Sequence, residues 1–185
     1  FCRIFADGLR NDEVTIYVAS GYAGGGMLGS GAVWNRYENG AAWAKMVATV
    51  ESLRARWPVG STVAGGILWQ GETDRGSNSA IPHATELRNC VLDRRAAWGN
   101  FPVVSMPIGG DDWNVVGSNT YNMIQAHYLL DSNSGNALSL PRCKAIQRNP
   151  SWTLRPDNTH YDQNSSEAAA IQCATAMLQL NYGQI

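Results

Sequence analysis

The chain has 185 residues, room for one domain with a sizeable core, and its 44% apolar and 16% charged residues mark it as globular. A net charge of −1 offers no footing for nucleic acid or an anionic membrane. No apolar run approaches the roughly 18 residues of a membrane span.

Phe1-Cys2-Arg3-Ile4-Phe5-Ala6 reads as the tail of a helix, so residues 1–185 are expected to be one domain that lacks an N-terminal segment. Residues 14–19 form a β-branched run, a buried strand, before Ser20-Gly21. Across residues 41–57, Trp43, Met46, Val47, Val50, Leu53 and Trp57 recur at helical spacing until Pro58. Residues 64–70 form the second strand. Pro82 opens a helix with Leu87, Cys90, Val91 and Trp98 on one face, closed by Gly99. Residues 103–108 are a third strand, ending at Gly109-Gly110.

A helix over 120–130 follows, with Ser118 and Asn119 as candidate caps, then a short strand over 143–147. The final helix is expected to begin at Asn164, with Glu167 completing a capping-box-like start. Its apolar face is Ile171, Ala174 and Leu178, and Gly183 ends it. Strands alternating with helices predict a layered α/β architecture. The cysteines, Cys2, Cys90, Cys143 and Cys173, contain no C-x-x-C pair and so do not suggest zinc. Their even number allows two disulfides and an extracellular location, and equally four buried thiols.

Ligands of open α/β sheets bind beyond the carboxyl ends of the strands, where three polar clusters are expected. Gly24-Gly25-Gly26 could bring a backbone N–H close to an oxyanion, or serve only as a flexible turn. Gln70 could donate its carboxamide N–H to a developing negative charge, with Gly71 turning the chain beneath it, or could tie down loop backbone. Glu72 and Asp74 fit structural acceptors for loop N–H groups better than catalysts. Asp157 stands three residues before His160 and can set its tautomer, the arrangement a general base needs. His83 and His127 fall in helical segments and read as structural. A metal centre on Asp157, His160 and Asp162 fails on ligand count.

Gly24-Gly25-Gly26, Ile67-Leu68-Trp69-Gln70-Gly71-Glu72-Thr73-Asp74 and Asp157-Asn158-Thr159-His160 resemble successive blocks of the SGNH hydrolases. The branch is that of sialate O-acetylesterases and acetylxylan esterases, whose motif Trp-x-Gln-Gly-Glu-Ser-Asp is contracted here. The resemblance implies a three-layer α/β/α sandwich with a flavodoxin-like, mostly parallel sheet. It implies a serine esterase removing acetyl groups from an extracellular glycan, without metal or organic cofactor. His160 would be the base, Asp157 its orienting acid, and Gln70 with Gly24 or Gly25 the oxyanion donors.

Two departures accompany the resemblance. Gly-Gly-Gly stands where Gly-Gly-Thr or Gly-Gly-Ser is usual. The family's first block, a strand and Gly-Gln-Ser-Asn with the nucleophile, would precede Phe1. Neither Ser20 nor Ser30 sits in a Gly-x-Ser-x-Gly elbow. In strand order 2-1-3-4-5 the first strand lies between those expected over 14–19 and 64–70. Leaving that place empty would strand unpaired backbone groups, so an upstream segment or another chain fills it, or the neighbours pair directly. The competing reading is a catalytically degenerate esterase-like domain that binds glycan or builds an extracellular assembly or virion. The seven Trp and seven Tyr suit sugar stacking as well as a core.

Overall fold

The structure is a computed structural model and describes residues 27–28, 40–77 and 80–183. Among them the order is α1 (Ala41–Arg54), β1 (Gly66–Leu68), a 3-10 turn (Thr73–Ser77), α2 (Ala80–Trp98) and β2 (Val103–Ser105). Then come α3 (Asn119–Leu129), β3 (Cys143–Ala145) and α4 (Gln163–Tyr182). The fold is mixed α/β. Its strands pair in parallel in the order β1-β2-β3, with Leu68 opposite Ser105 and Ser105 opposite Ala145.

Each strand is shorter than the apolar runs suggest. Single bonds carry the ladder one step past β2 and β3, from Met106 N–H to Leu68 O and from Ile146 N–H to Ser105 O. The chains then part to form loops, and residues 107–110 stay buried outside the ladder.

The sheet is covered by apolar clusters on two sides, which explains why β2 is buried throughout. Val104 packs with Cys173, Ala174, Met177 and Leu178 of α4. Its neighbour Val103 packs with Leu87, Cys90 and Val91 of α2 and Ala126 of α3, as strand alternation requires. Burying a side chain such as Leu87 contributes about 1.5–3 kcal/mol.

The outer edge of β3 is closed by the chain that follows α3. Ser132 N–H donates to Cys143 O, and Ala145 N–H donates to the Asp131 carboxylate at 2.8 Å. Those bonds leave no room for another strand there. On the opposite side, no strand among the described residues pairs with the outer edge of β1. The strand expected over 14–19 lies outside the described residues, as do Gly24, Gly25, Ser20 and Ser30.

Two sequence expectations are corrected in α4. Its N-cap is Asp162, whose carboxylate accepts Ser165 N–H at 2.8 Å, so the helix starts before Asn164 and Glu167 plays no capping part. Glu167 instead accepts from Gln163. Ile171 is 49% exposed, and the buried face runs through Ala169, Cys173, Ala174, Met177 and Leu178. Ser118 does cap α3, accepting from Tyr121 N–H at 3.1 Å. No helix among the described residues is long and apolar enough to cross a membrane.

Candidate active site

The loop ahead of α4 is organised around one carboxylate. Asp157 accepts Thr159 N–H at 2.9 Å, His160 N–H at 3.0 Å and the His160 ring at Nδ1, 2.8 Å. Asn158, between them, takes the left-handed conformation (φ 53°) that asparagine tolerates better than most residues. The His160 backbone and ring N–H groups, followed by Thr159 N–H, hold the Asp157 carboxyl well below the usual carboxylate range. An ionised carboxylate can only accept, so Nδ1 carries a proton, and in the neutral ring Nε2 is the nitrogen with the lone pair. Both side chains reach solvent. No hydroxyl among the described residues hydrogen-bonds Nε2.

Tyr161 fixes this loop to the strand layer. Its hydroxyl donates to Ile108 O at 2.8 Å, and its ring meets Trp152 edge-on at 5.3 Å. Burial pushes the phenol up to about 12, so it remains a donor at ordinary pH. The loop also packs against Gly109, where a Cβ would stand 2.2 Å from Thr159 O. Only glycine allows that approach.

The loop after β1 rests on two buried histidines. His127 of α3 lies 2.8 Å from Gln70 O through Nε2 and 2.8 Å from Ser105 Oγ through Nδ1. The carbonyl can only accept, so Nε2 holds the proton and Ser105 donates to Nδ1. Burial, reinforced by His83 and opposed by the Gln70 carbonyl, takes the imidazole down to about 3, so it is neutral at ordinary pH. Ser105 and His127 are a hydrogen-bonded serine–histidine pair, but both are sealed from solvent. They clamp the Gln70 backbone and cannot meet a substrate.

His83 stands beside the next turn. Gly71 has φ 138°, and a Cβ on it would lie 3.3 Å from His83 Nε2. The Asp74 carboxylate is 3.3 Å from His83 Nδ1 and accepts Met27 N–H at 2.8 Å and Leu28 N–H at 3.1 Å. Burial would raise its pKa, but the imidazole and the two backbone donors outweigh burial and hold it below the usual range. Asp74 thereby ties the chain directly after the triple glycine to the loop after β1. The half-buried Glu72 adds its main-chain oxygen, which accepts from Arg75 Nε at 3.2 Å.

These loops meet. Arg75 donates through Nη2 to Thr159 Oγ1 at 2.9 Å and through Nη1 to Thr120 Oγ1 at 3.4 Å. The Trp69 and Tyr161 rings lie 6.3 Å apart, so the residue before Gln70 approaches the residue after His160. The loop that carries Gln70, Glu72 and the buried Asp74 therefore meets the loop that carries Asp157 and His160 beyond the carboxyl end of the sheet. Sequence reasoning did not single out Arg75, Thr159 or Ser105. Arg75 follows directly on the Gln70–Asp74 block, and that adjacency was its one available signal.

Other chemistries find less material. Cys90, Cys143 and Cys173 are buried free thiols, and burial pushes Cys143 and Cys173 up to about 12, far from a reactive thiolate. No group of three or more metal-binding side chains occurs among the described residues. An open groove of about 340 Å³ between β3 and α4, lined by Lys144, Ile146, Ile171 and Gln179 among others, includes none of the rim residues. The chain matches no protein-family model, and neither a curated protein nor a solved structure matches it.

Proposed function

We propose that the protein is a carbohydrate O-acetylesterase, a serine esterase of extracellular glycans on a flavodoxin-like, three-layer α/β/α scaffold. One observation carries the reading. His160 spends its Nδ1–H on Asp157 and keeps Nε2 as a base, on the rim that also bears Gln70. In the reaction, a serine supplied from sequence ahead of Phe1 attacks the acetyl carbonyl carbon while His160 Nε2 takes its proton. Asp157 stabilises the imidazolium. The oxyanion receives N–H groups from the Gln70 carboxamide and from Gly24 or Gly25. Collapse breaks the C–O bond to the sugar, whose alkoxide takes the proton from His160, and water then releases acetate by the same route. No metal or organic cofactor takes part.

The intact protein is expected to release acetate from acetylated xylan, O-acetylated sialic acid or 4-nitrophenyl acetate. His160→Ala should lower kcat by about 10³-fold or more. Full activity in that variant would remove His160 as the base.

A degenerate, glycan-binding domain is the second reading. It is favoured by half-exposed Trp69, whose ring lies 6.3 Å from that of Tyr161, the residue after His160, where a sugar could stack. Labelling of the intact protein by a fluorophosphonate would count against it; glycan binding without labelling would support it.

A further inference from the structure

Arg75 makes an unusual use of its charge. It donates to three neutral oxygens on three chain segments: Glu72 O in its own loop, Thr120 Oγ1 at the start of α3, and Thr159 Oγ1 in the histidine loop. Among the described residues, no carboxylate forms an ion pair with it. Near that junction, Asp112 would be raised by burial, but hydroxyls of Thr120 and Ser118, with Arg75 itself, keep it below the usual range.

Thr159 passes the restraint on. Its Oγ1 accepts from Arg75 and donates to Asp157 O at 3.2 Å, while its N–H donates to the Asp157 carboxylate at 2.9 Å. The same carboxylate holds the His160 ring. A planar guanidinium has donors in fixed directions, so it can set the spacing of three segments at once; an ammonium cannot.

We propose that Arg75 is the positioning residue that holds the Asp157–His160 couple in register with the loop bearing Gln70. It acts through Thr159 and does not touch the reacting atoms. The inference rests on the esterase reading for its consequence in catalysis, but not for its structural content.

The test uses the intact protein and the charge-conserving variant Arg75→Lys. With 4-nitrophenyl acetate, Arg75→Lys should lower kcat by about tenfold or more while KM stays within about twofold, as expected when the reacting groups lose alignment. Thr159→Val should do the same, and the double variant should be little worse than either single one, because both cut one connection. A second readout needs no turnover. The Asp157 carboxyl, followed by NMR, should titrate at higher pH in Arg75→Lys, with at least about a threefold gain in proton affinity as its donors loosen. A protein inactive in every form but showing that shift would remove the esterase reading and leave the positioning role standing. Wild-type kcat in Arg75→Lys, or an unmoved Asp157 midpoint, would overturn the proposal.

Discussion

Mild acid should loosen this protein before its carboxylates are neutralised, and His127 should be the cause. Its ordinary pKa of 6.5 falls to about 3 in the fold, because the ring is wholly buried. Between those values the unfolded chain carries a proton that the folded chain refuses. The contribution is therefore complete above about pH 6.5 and declines as pH falls, by about 1.4 kcal/mol per pH unit. From about pH 6.5 to about pH 4.5 the loss is about 2–3 kcal/mol, a large share of the stability of an ordinary domain.

The comparison is with His127→Asn, which removes the titration while keeping a donor and an acceptor in the cavity. That variant should be less stable at neutral pH by about 1–3 kcal/mol, through lost packing and less well aligned bonds to Gln70 and Ser105. Its stability should nevertheless fall less steeply with acid. Urea unfolding followed by tryptophan fluorescence at several pH values gives both quantities. Equal slopes in the two proteins would refute the reasoning, since His127 would then accept a proton without leaving the fold.

Two further substitutions probe the loop after β1. Gly71→Ala meets both a φ of 138° and the His83 ring at 3.3 Å, so thermal unfolding should show a loss of about 1–3 kcal/mol. Asp74→Asn keeps the size but removes the charge that receives Met27 and Leu28; hydrogen exchange at those two amides should quicken by about tenfold.

Helices were legible because their faces repeat. Leu87, Cys90 and Val91 follow the helical period and are buried as expected, and Ser118 is the cap its position suggested. Strand positions were legible too, but not their extents: an apolar run is the same whether it pairs or merely lies buried, as residues 107–110 do. The start of α4 was misplaced because Asn164 and Glu167 fit a capping box in sequence. Asp162, two residues earlier, is the cap instead, because its carboxylate accepts the backbone N–H of Ser165 three residues on.

At the site, short-range relations could be read and long-range ones could not. Asp157 and His160 are three residues apart, and the sequence implied their contact directly. Asp74 and Met27 are 47 residues apart, and nothing local announces their bond. Arg75 and Thr159 are separated by 84 positions, and an arginine in a polar loop reads as solvated surface. His83 and His127 were read as structural from their helical setting. Their position beneath the Gln70–Asp74 loop depends on how α2 and α3 pack together, which periodicity does not specify.

An NMR titration of the intact protein with sodium acetate, the product of deacetylation, most directly probes whether imidazole, carboxylate and carboxamide form one site. The side-chain amide of Gln70 and the ring of His160 should shift together, with one common binding constant, and His160→Ala should weaken the response at Gln70. A saturating shift at Gln70 with His160 unmoved, or acetate bound elsewhere on the molecule, would contradict a shared rim for catalysis.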